Sequence, residues 1–84
     1  MDALALATDV TIEPQSEKPI ASQLVAQLAA LIDAGTLEEL PPPAEFGREL
    51  RISTRAVTKA YQALIETGAV FNTPNGFKTR NMLR

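Results

Sequence analysis

Cysteine is absent from this chain of 84 residues, so neither a disulfide framework nor a thiolate metal site can form. Histidine is absent as well, which removes the commonest general base and the imidazole metal ligand. Catalysis would have to rest on carboxylates or lysine, and no carboxylate pair stands out. The composition therefore predicts no enzyme, no metal and no cofactor. No stretch approaches the roughly 20 apolar residues of a membrane span. The apolar run at residues 3–7 is short, has no basic residue before it and is followed by Asp9, unlike a secretory signal. The expected location is the cytoplasm, without membrane association.

What is present is enough for one small domain. Residues of hydrophobic type make up 45% of the chain, which supplies a single modest core. The formal net charge is −2, a poor first indication of a nucleic-acid partner. Its distribution is more informative. Residues 1–17 carry Asp2, Asp9, Glu13 and Glu17 and no basic residue. From Glu45 onward, Arg48, Arg51, Arg55, Lys59, Lys78, Arg80 and Arg84 face only Glu45, Glu49 and Glu66, a local balance of +4. An acidic front and a basic back are compatible with one DNA-facing surface.

Residues 1–8 give no clear structural signal. Asp9-Val10-Thr11-Ile12-Glu13 alternates polar with apolar and is rich in β-branched residues, which predicts a short strand ended by Pro14. The first helix is better marked. Ile20, Leu24, Leu28, Leu31 and Ile32 gather on one face, Pro19 suits a first turn, and Gly35 suits a left-handed end. Pro41-Pro42-Pro43 predicts a rigid connector rather than a polyproline ligand, leading into a second helix from about residue 43 to 50 with Phe46 and Leu50 inward. Ser53 is a good N-cap for a third helix, whose buried stripe is Val57, Ala60, Tyr61, Leu64 and Ile65 and whose end is Gly68. Residues 69–71 begin a strand, Asn75-Gly76 predicts the hairpin turn, and Phe77-Lys78-Thr79 returns. Tyr61 is expected in the core rather than against a base, and Phe71 and Phe77 are expected to cover the core edge.

A short helix, a tight turn, a longer helix and a hairpin follow the plan of a winged helix-turn-helix. In detail the chain resembles the DNA-binding domain of GntR-type bacterial transcription regulators. Pro19-Ile20-Ala21-Ser22-Gln23-Leu24 stands where that family has PIYxQI, and Gly35-Thr36-Leu37 follows. Leu40-Pro41-Pro42-Pro43-Ala44-Glu45-Phe46-Gly47 stands in place of LPSERELA. Leu50-Arg51-Ile52-Ser53-Thr54-Arg55-Ala56-Val57-Thr58-Lys59-Ala60-Tyr61, then Leu64, Gly68, Ala69 and Val70, follow LGVSRxTVxxAYxxLxxxGLV. The resemblance implies a mainly α fold with a small β-wing (α+β): three helices plus a C-terminal β-hairpin, here with an extra N-terminal strand. Residues 1–17 would form an acidic N-terminal segment with its strand at 9–13, and residues 18–84 the winged helix-turn-helix domain.

At the positions the family uses on DNA the chain departs from the pattern. Ala44 and Thr54 stand where arginines are usual, Pro42 replaces a serine, and Arg51 replaces the turn glycine. A non-glycine in a left-handed turn costs about 1 kcal/mol. Arg55, one residue beyond the usual arginine, becomes the expected base reader in the first turn of the recognition helix, able to pair with guanine. Ser53, Thr54, Thr58, Lys59 and Gln62 complete the expected reading surface. Arg48 and Arg51 are placed for phosphates beside the turn, and Lys78 and Arg80 for the groove or phosphates beside the wing. The implied function is a sequence-specific transcription regulator binding double-stranded DNA as a small homodimer without an effector domain, its dimer contact expected on the alanine-rich first helix and residues 10–12. The alternative is a winged helix that has lost direct DNA reading and binds a protein through an exposed edge at residues 10–12.

Overall fold

The computed structural model describes residues 3–83. In chain order these form α1 (Ala3–Ala7), α2 (Ile20–Asp33), β1 (Glu39–Leu40), α3 (Pro43–Leu50), α4 (Thr54–Glu66), β2 (Val70–Thr73), β3 (Gly76–Thr79) and a 3-10 turn at Arg80–Leu83. Three helices and a wing hairpin are those expected, and α3, the turn and α4 form the helix-turn-helix. Leu24, Leu28 and Ile32 of α2 meet Val57, Ala60, Tyr61 and Leu64 of α4 in one apolar core that also takes in Phe46, Leu37, Leu40, Ala69 and Val70. Ile20, Leu31 and Ile65, at the margins of the predicted stripes, are only partly buried.

The sheet is larger than a hairpin. Its order is β1-β3-β2, all antiparallel, with Glu39 opposite Lys78 and Leu40 opposite Phe77. A two-residue strand between a helix end and three prolines has too few residues for an alternation to show, so β1 carries no readable signal. The hairpin turn also sits one residue earlier than expected. Thr73 pairs with Gly76, so the central residues are Pro74 and Asn75 rather than Asn75 and Gly76. Pro74 fixes a negative φ and suits the first central position of an unprimed turn, and the positive φ falls two residues later, on Gly76 at 112°. Thr73 Oγ1 tightens the turn, accepting from the Asn75 N–H at 3.2 Å and donating to the Gly76 carbonyl at 2.7 Å.

The N-terminal segment departs most from expectation. Residues 3–7 form a helix, and no strand forms at 9–13. A five-residue helix is not stable alone; α1 is held because Leu6 is fully buried and Val10 nearly so, both within the main core. Residues 10–13 form no regular element, and the backbone groups of Thr11 and Glu13 pair with side chains instead of a strand. The Gln27 amide accepts from the Thr11 N–H at 2.8 Å and donates to the Thr11 carbonyl. One turn earlier on α2, the Gln23 amide accepts from the Glu13 N–H at 2.8 Å and donates to the Glu13 carbonyl at 3.0 Å. Side-chain amides spaced i, i+4 thus imitate a β-ladder for residues spaced i, i+2. This overturns the exposed edge expected at residues 10–12: the backbone of Thr11 and Glu13 is already occupied, and Val10 is core.

Candidate nucleic-acid interface

The helix-turn-helix is set by local chemistry. Pro43 occupies the first turn of α3, where a missing N–H costs no helical bond, and Phe46 N–H bonds to the Pro42 carbonyl at 3.0 Å. The helix ends at Arg51, which has φ 60° and ψ 41°. The Ile52 N–H then reaches the Gly47 carbonyl at 2.9 Å and the Arg51 N–H the Arg48 carbonyl at 3.2 Å, the pair of bonds that closes a left-handed helix end. Arginine therefore keeps the glycine geometry and carries its strain. A Cβ on Gly47 would lie 3.0 Å from the Ile52 carbonyl oxygen, so the chain returns over α3 at a point where side-chain volume is excluded. Ser53 Oγ accepts the Ala56 N–H at 3.1 Å and caps α4, which Gly68 (φ 82°) ends.

Tyr61 joins the three parts of this unit. Its hydroxyl donates to the Pro41 carbonyl at 2.8 Å, its ring meets Phe77 of the wing edge-on at 4.9 Å between centroids, and it stacks with Phe46 of α3 at 6.5 Å. Burial raises its phenol above the usual value, so it stays neutral. The prolines, the recognition helix and the wing are thus fixed to one another through a single core side chain. Phe71, by contrast, lies on the outer sheet face opposite Lys78 and is 38% exposed; only Phe77 covers the core edge.

The buried stripe of α4 turns Arg55, Thr58, Lys59 and Gln62 outward on one face, at i, i+3, i+4 and i+7. Thr54 is exposed in the first turn, and Arg48 and Arg51 are exposed at the end of α3. The Ser53 hydroxyl accepts the cap hydrogen bond and keeps its own hydrogen to donate. Among the described residues, Arg48, Arg51, Arg55 and Lys59 form no ion pair with the rest of the chain. The two remaining expected cations differ. Lys78 Nζ bonds to Glu39 Oε2 at 2.6 Å, and Arg80 bonds to Asp33. The hairpin tip itself carries Pro74, Asn75 and Gly76 and no charge.

Sequence reasoning missed Asn81. It is buried just after the wing, and its Nδ2 donates to the Ile32 and Leu37 carbonyls, each at 2.9 Å. Thr79 Oγ1 donates to the same Leu37 carbonyl at 2.6 Å. Together they tie the base of the wing to the end of α2. No local signal marks either residue, because the partners lie more than 40 positions away.

A helix-turn-helix whose second helix presents a cationic, uncapped-by-carboxylate face, followed by a wing, defines a winged-helix DNA-binding module. The structure is similar to that of YtrA from Sulfolobus acidocaldarius, a GntR-family transcription factor, with 30% sequence identity, a TM-score of 0.78, and coverage of 90% of this chain and 89% of that one. The chain belongs to the GntR family and is a DNA-binding transcription regulator. No protein-family model and no curated protein matches it.

Proposed function

We propose that the protein reads a specific DNA site as a cytoplasmic homodimer, with Arg55 as the principal base-reading side chain. The observation that carries this is the group of four cations, Arg48, Arg51, Arg55 and Lys59, all exposed on the helix-turn-helix and, among the described residues, without an internal ion pair. Arg55 stands in the first turn of α4, the part of a recognition helix that commonly meets base edges. Thr54, Thr58, Lys59 and Gln62 extend the same surface, with Gln62 suited to adenine. Arg48, Arg51 and Ser53 flank the turn and suit phosphates, which set register without reading sequence. A single module buries about 600–1,000 Å² on DNA, so two copies on a two-fold related site supply the affinity that one lacks. The exposed alanine-rich face of α2 is the contact proposed between them.

Binding of the full chain to a library of duplexes across a salt series tests this reading. Affinity is expected to fall steeply with salt, by about 0.9 in log–log slope for each phosphate neutralised. Arg55→Ala is expected to lose about 1–3 kcal/mol of discrimination at one base pair in each half-site. Lys59→Ala is expected to weaken all sequences together. Absence of binding at low salt overturns the proposal.

A further inference from the structure

The turn of the wing joins two residues whose chemistry the proposed DNA contacts leave unused. Gly76 has φ 112°, a conformation that side chains rarely adopt, so the turn itself calls for glycine there. Beside it lies open space, because a Cβ placed on Gly76 would meet no atom within 4 Å. Its amide nitrogen is therefore shielded neither by a side chain of its own nor by a neighbour on that side. Asn75, immediately before it, is exposed, and among the described residues its carboxamide makes no hydrogen bond. The other asparagines of the chain, Asn72 and Asn81, differ. Asn72 precedes the β-branched Thr73 and lies within the β2–β3 ladder opposite Phe77. Asn81 is buried before Met82, with its Nδ2 held by the Ile32 and Leu37 carbonyls.

We propose that Asn75 is a site of spontaneous deamidation, which places a negative charge on the otherwise uncharged wing tip and weakens the module's hold on DNA. The effect on DNA rests on the DNA-binding reading of the same surface; the chemistry does not. The Gly76 N–H gives its proton to hydroxide, and the nitrogen attacks Asn75 Cγ. A succinimide ring closes, the Cγ–Nδ2 bond breaks, and the amide nitrogen leaves as ammonia with a proton from water. Water then opens the ring at either carbonyl, giving aspartate or isoaspartate. The balance is one water consumed, one ammonia released and a carboxamide replaced by a carboxylate. Thr73 sets the pace. Its Oγ1 accepts from the Asn75 N–H at 3.2 Å and donates to the Gly76 carbonyl at 2.7 Å, bonds on both sides of the peptide that must rotate for the attack. The carboxylate so formed repels a phosphate backbone, over a range that salt shortens.

The test incubates the full chain as wild type, Thr73→Val and Asn75→Gln at mildly alkaline pH, and peptide mass spectrometry follows each asparagine with time. Fresh and aged samples, with a fresh Asn75→Asp variant, are eluted from immobilised heparin by salt and titrated with a duplex across a salt series. Thermal melting verifies folding. Wild type is expected to gain the mass of one deamidation at Asn75 ahead of Asn72 and Asn81. Thr73→Val is expected to deamidate about three- to tenfold faster, the factor that one net hydrogen bond is worth. Asn75→Gln, which would need a larger and slower ring, is expected to keep its carboxamide and its binding on ageing. Aged wild type and Asn75→Asp are expected to bind the duplex about three- to fivefold more weakly at low salt, a difference that closes as salt rises. The inference is overturned if Asn72 or Asn81 converts first, if Thr73→Val is no faster than wild type, or if aged wild type and Asn75→Asp elute and bind like fresh wild type. If the deamidated form leaves heparin earlier but no form binds a duplex, the DNA reading fails and the charge switch of the wing stands.

Discussion

The recognition helix and the wing both carry cations on their exposed surfaces, and only those of the helix are available. On α4 the side chains radiate from a convex cylinder, and Arg55 and Lys59 point away from the core that α2 shares with it. No carboxylate of the described residues pairs with them. On the sheet, antiparallel pairing brings residues distant in sequence side by side, and Lys78 meets Glu39 from 39 positions away. A charge count along the chain weighs these cations equally. The fold does not, because a sheet imposes cross-strand neighbours where an exposed helix face imposes only neighbours one turn away.

Substitutions at four positions would break or sharpen this contrast. The largest effect is expected from Tyr61→Ala, which severs the side chain joining Pro41, Phe46 and Phe77 and costs about 3–5 kcal/mol in chemical denaturation. Helix and wing should then lose their fixed relation together. Tyr61→Phe should cost less, about 1–3 kcal/mol, by leaving the Pro41 carbonyl buried without its donor. Next comes Asn81→Ala, which strips one donor from the Ile32 and Leu37 carbonyls and is expected to destabilise by about 1–3 kcal/mol. Hydrogen exchange should locate that loss at the end of α2 and the base of the wing, with the amides of α4 unchanged.

Arg51→Gly acts on the helix side of the comparison and in the opposite direction. It relieves the left-handed strain and should stabilise the fold by about 1 kcal/mol, read as a higher denaturation midpoint. The same variant removes a proposed phosphate contact, so DNA affinity should fall while stability rises. The smallest effect belongs to acid. The Lys78 ammonium is the main cause holding the Glu39 carboxyl at about 2, against 4.5 for an unperturbed glutamate. A depressed carboxylate contributes stability that is full above the unfolded value and lost as pH falls toward the folded one. Glu39→Gln should therefore flatten the acid limb of the stability curve between about pH 4.5 and 2.

Much of the helix-turn-helix was legible because its signals are local. Ser53 caps α4 from three residues away, Gly68 ends it in the next turn, and Val57, Ala60, Tyr61 and Leu64 share a face by helical spacing alone. The left-handed Arg51 was legible from the motif around it. The N-terminal segment was misread for a stated reason. Alternation at residues 9–13 signals an extended backbone, but it does not say whether a strand or two glutamines will satisfy that backbone. The five residues of α1 are too few to show a period, and their helix exists only because Leu6 finds the core. Asn81 was missed because an asparagine after a wing has no local mark of being buried.

The amino-acid sequence by itself therefore determined the order of the DNA-binding elements, the ends of α2, α3 and α4, and the outward face on which Arg55, Thr58, Lys59 and Gln62 stand. Each of these depends on contacts within a turn or two of helix, where spacing along the chain is spacing in space. Tertiary structure alone decided which cations are free, how residues 10–13 are held, and what anchors the wing. Those outcomes depend on Glu39 with Lys78, Gln27 with Thr11 and Ile32 with Asn81, pairs separated by 39, 16 and 49 positions. Over such distances no residue pattern carries the geometry; only the packing of α2 and the sheet around Tyr61 brings the partners together.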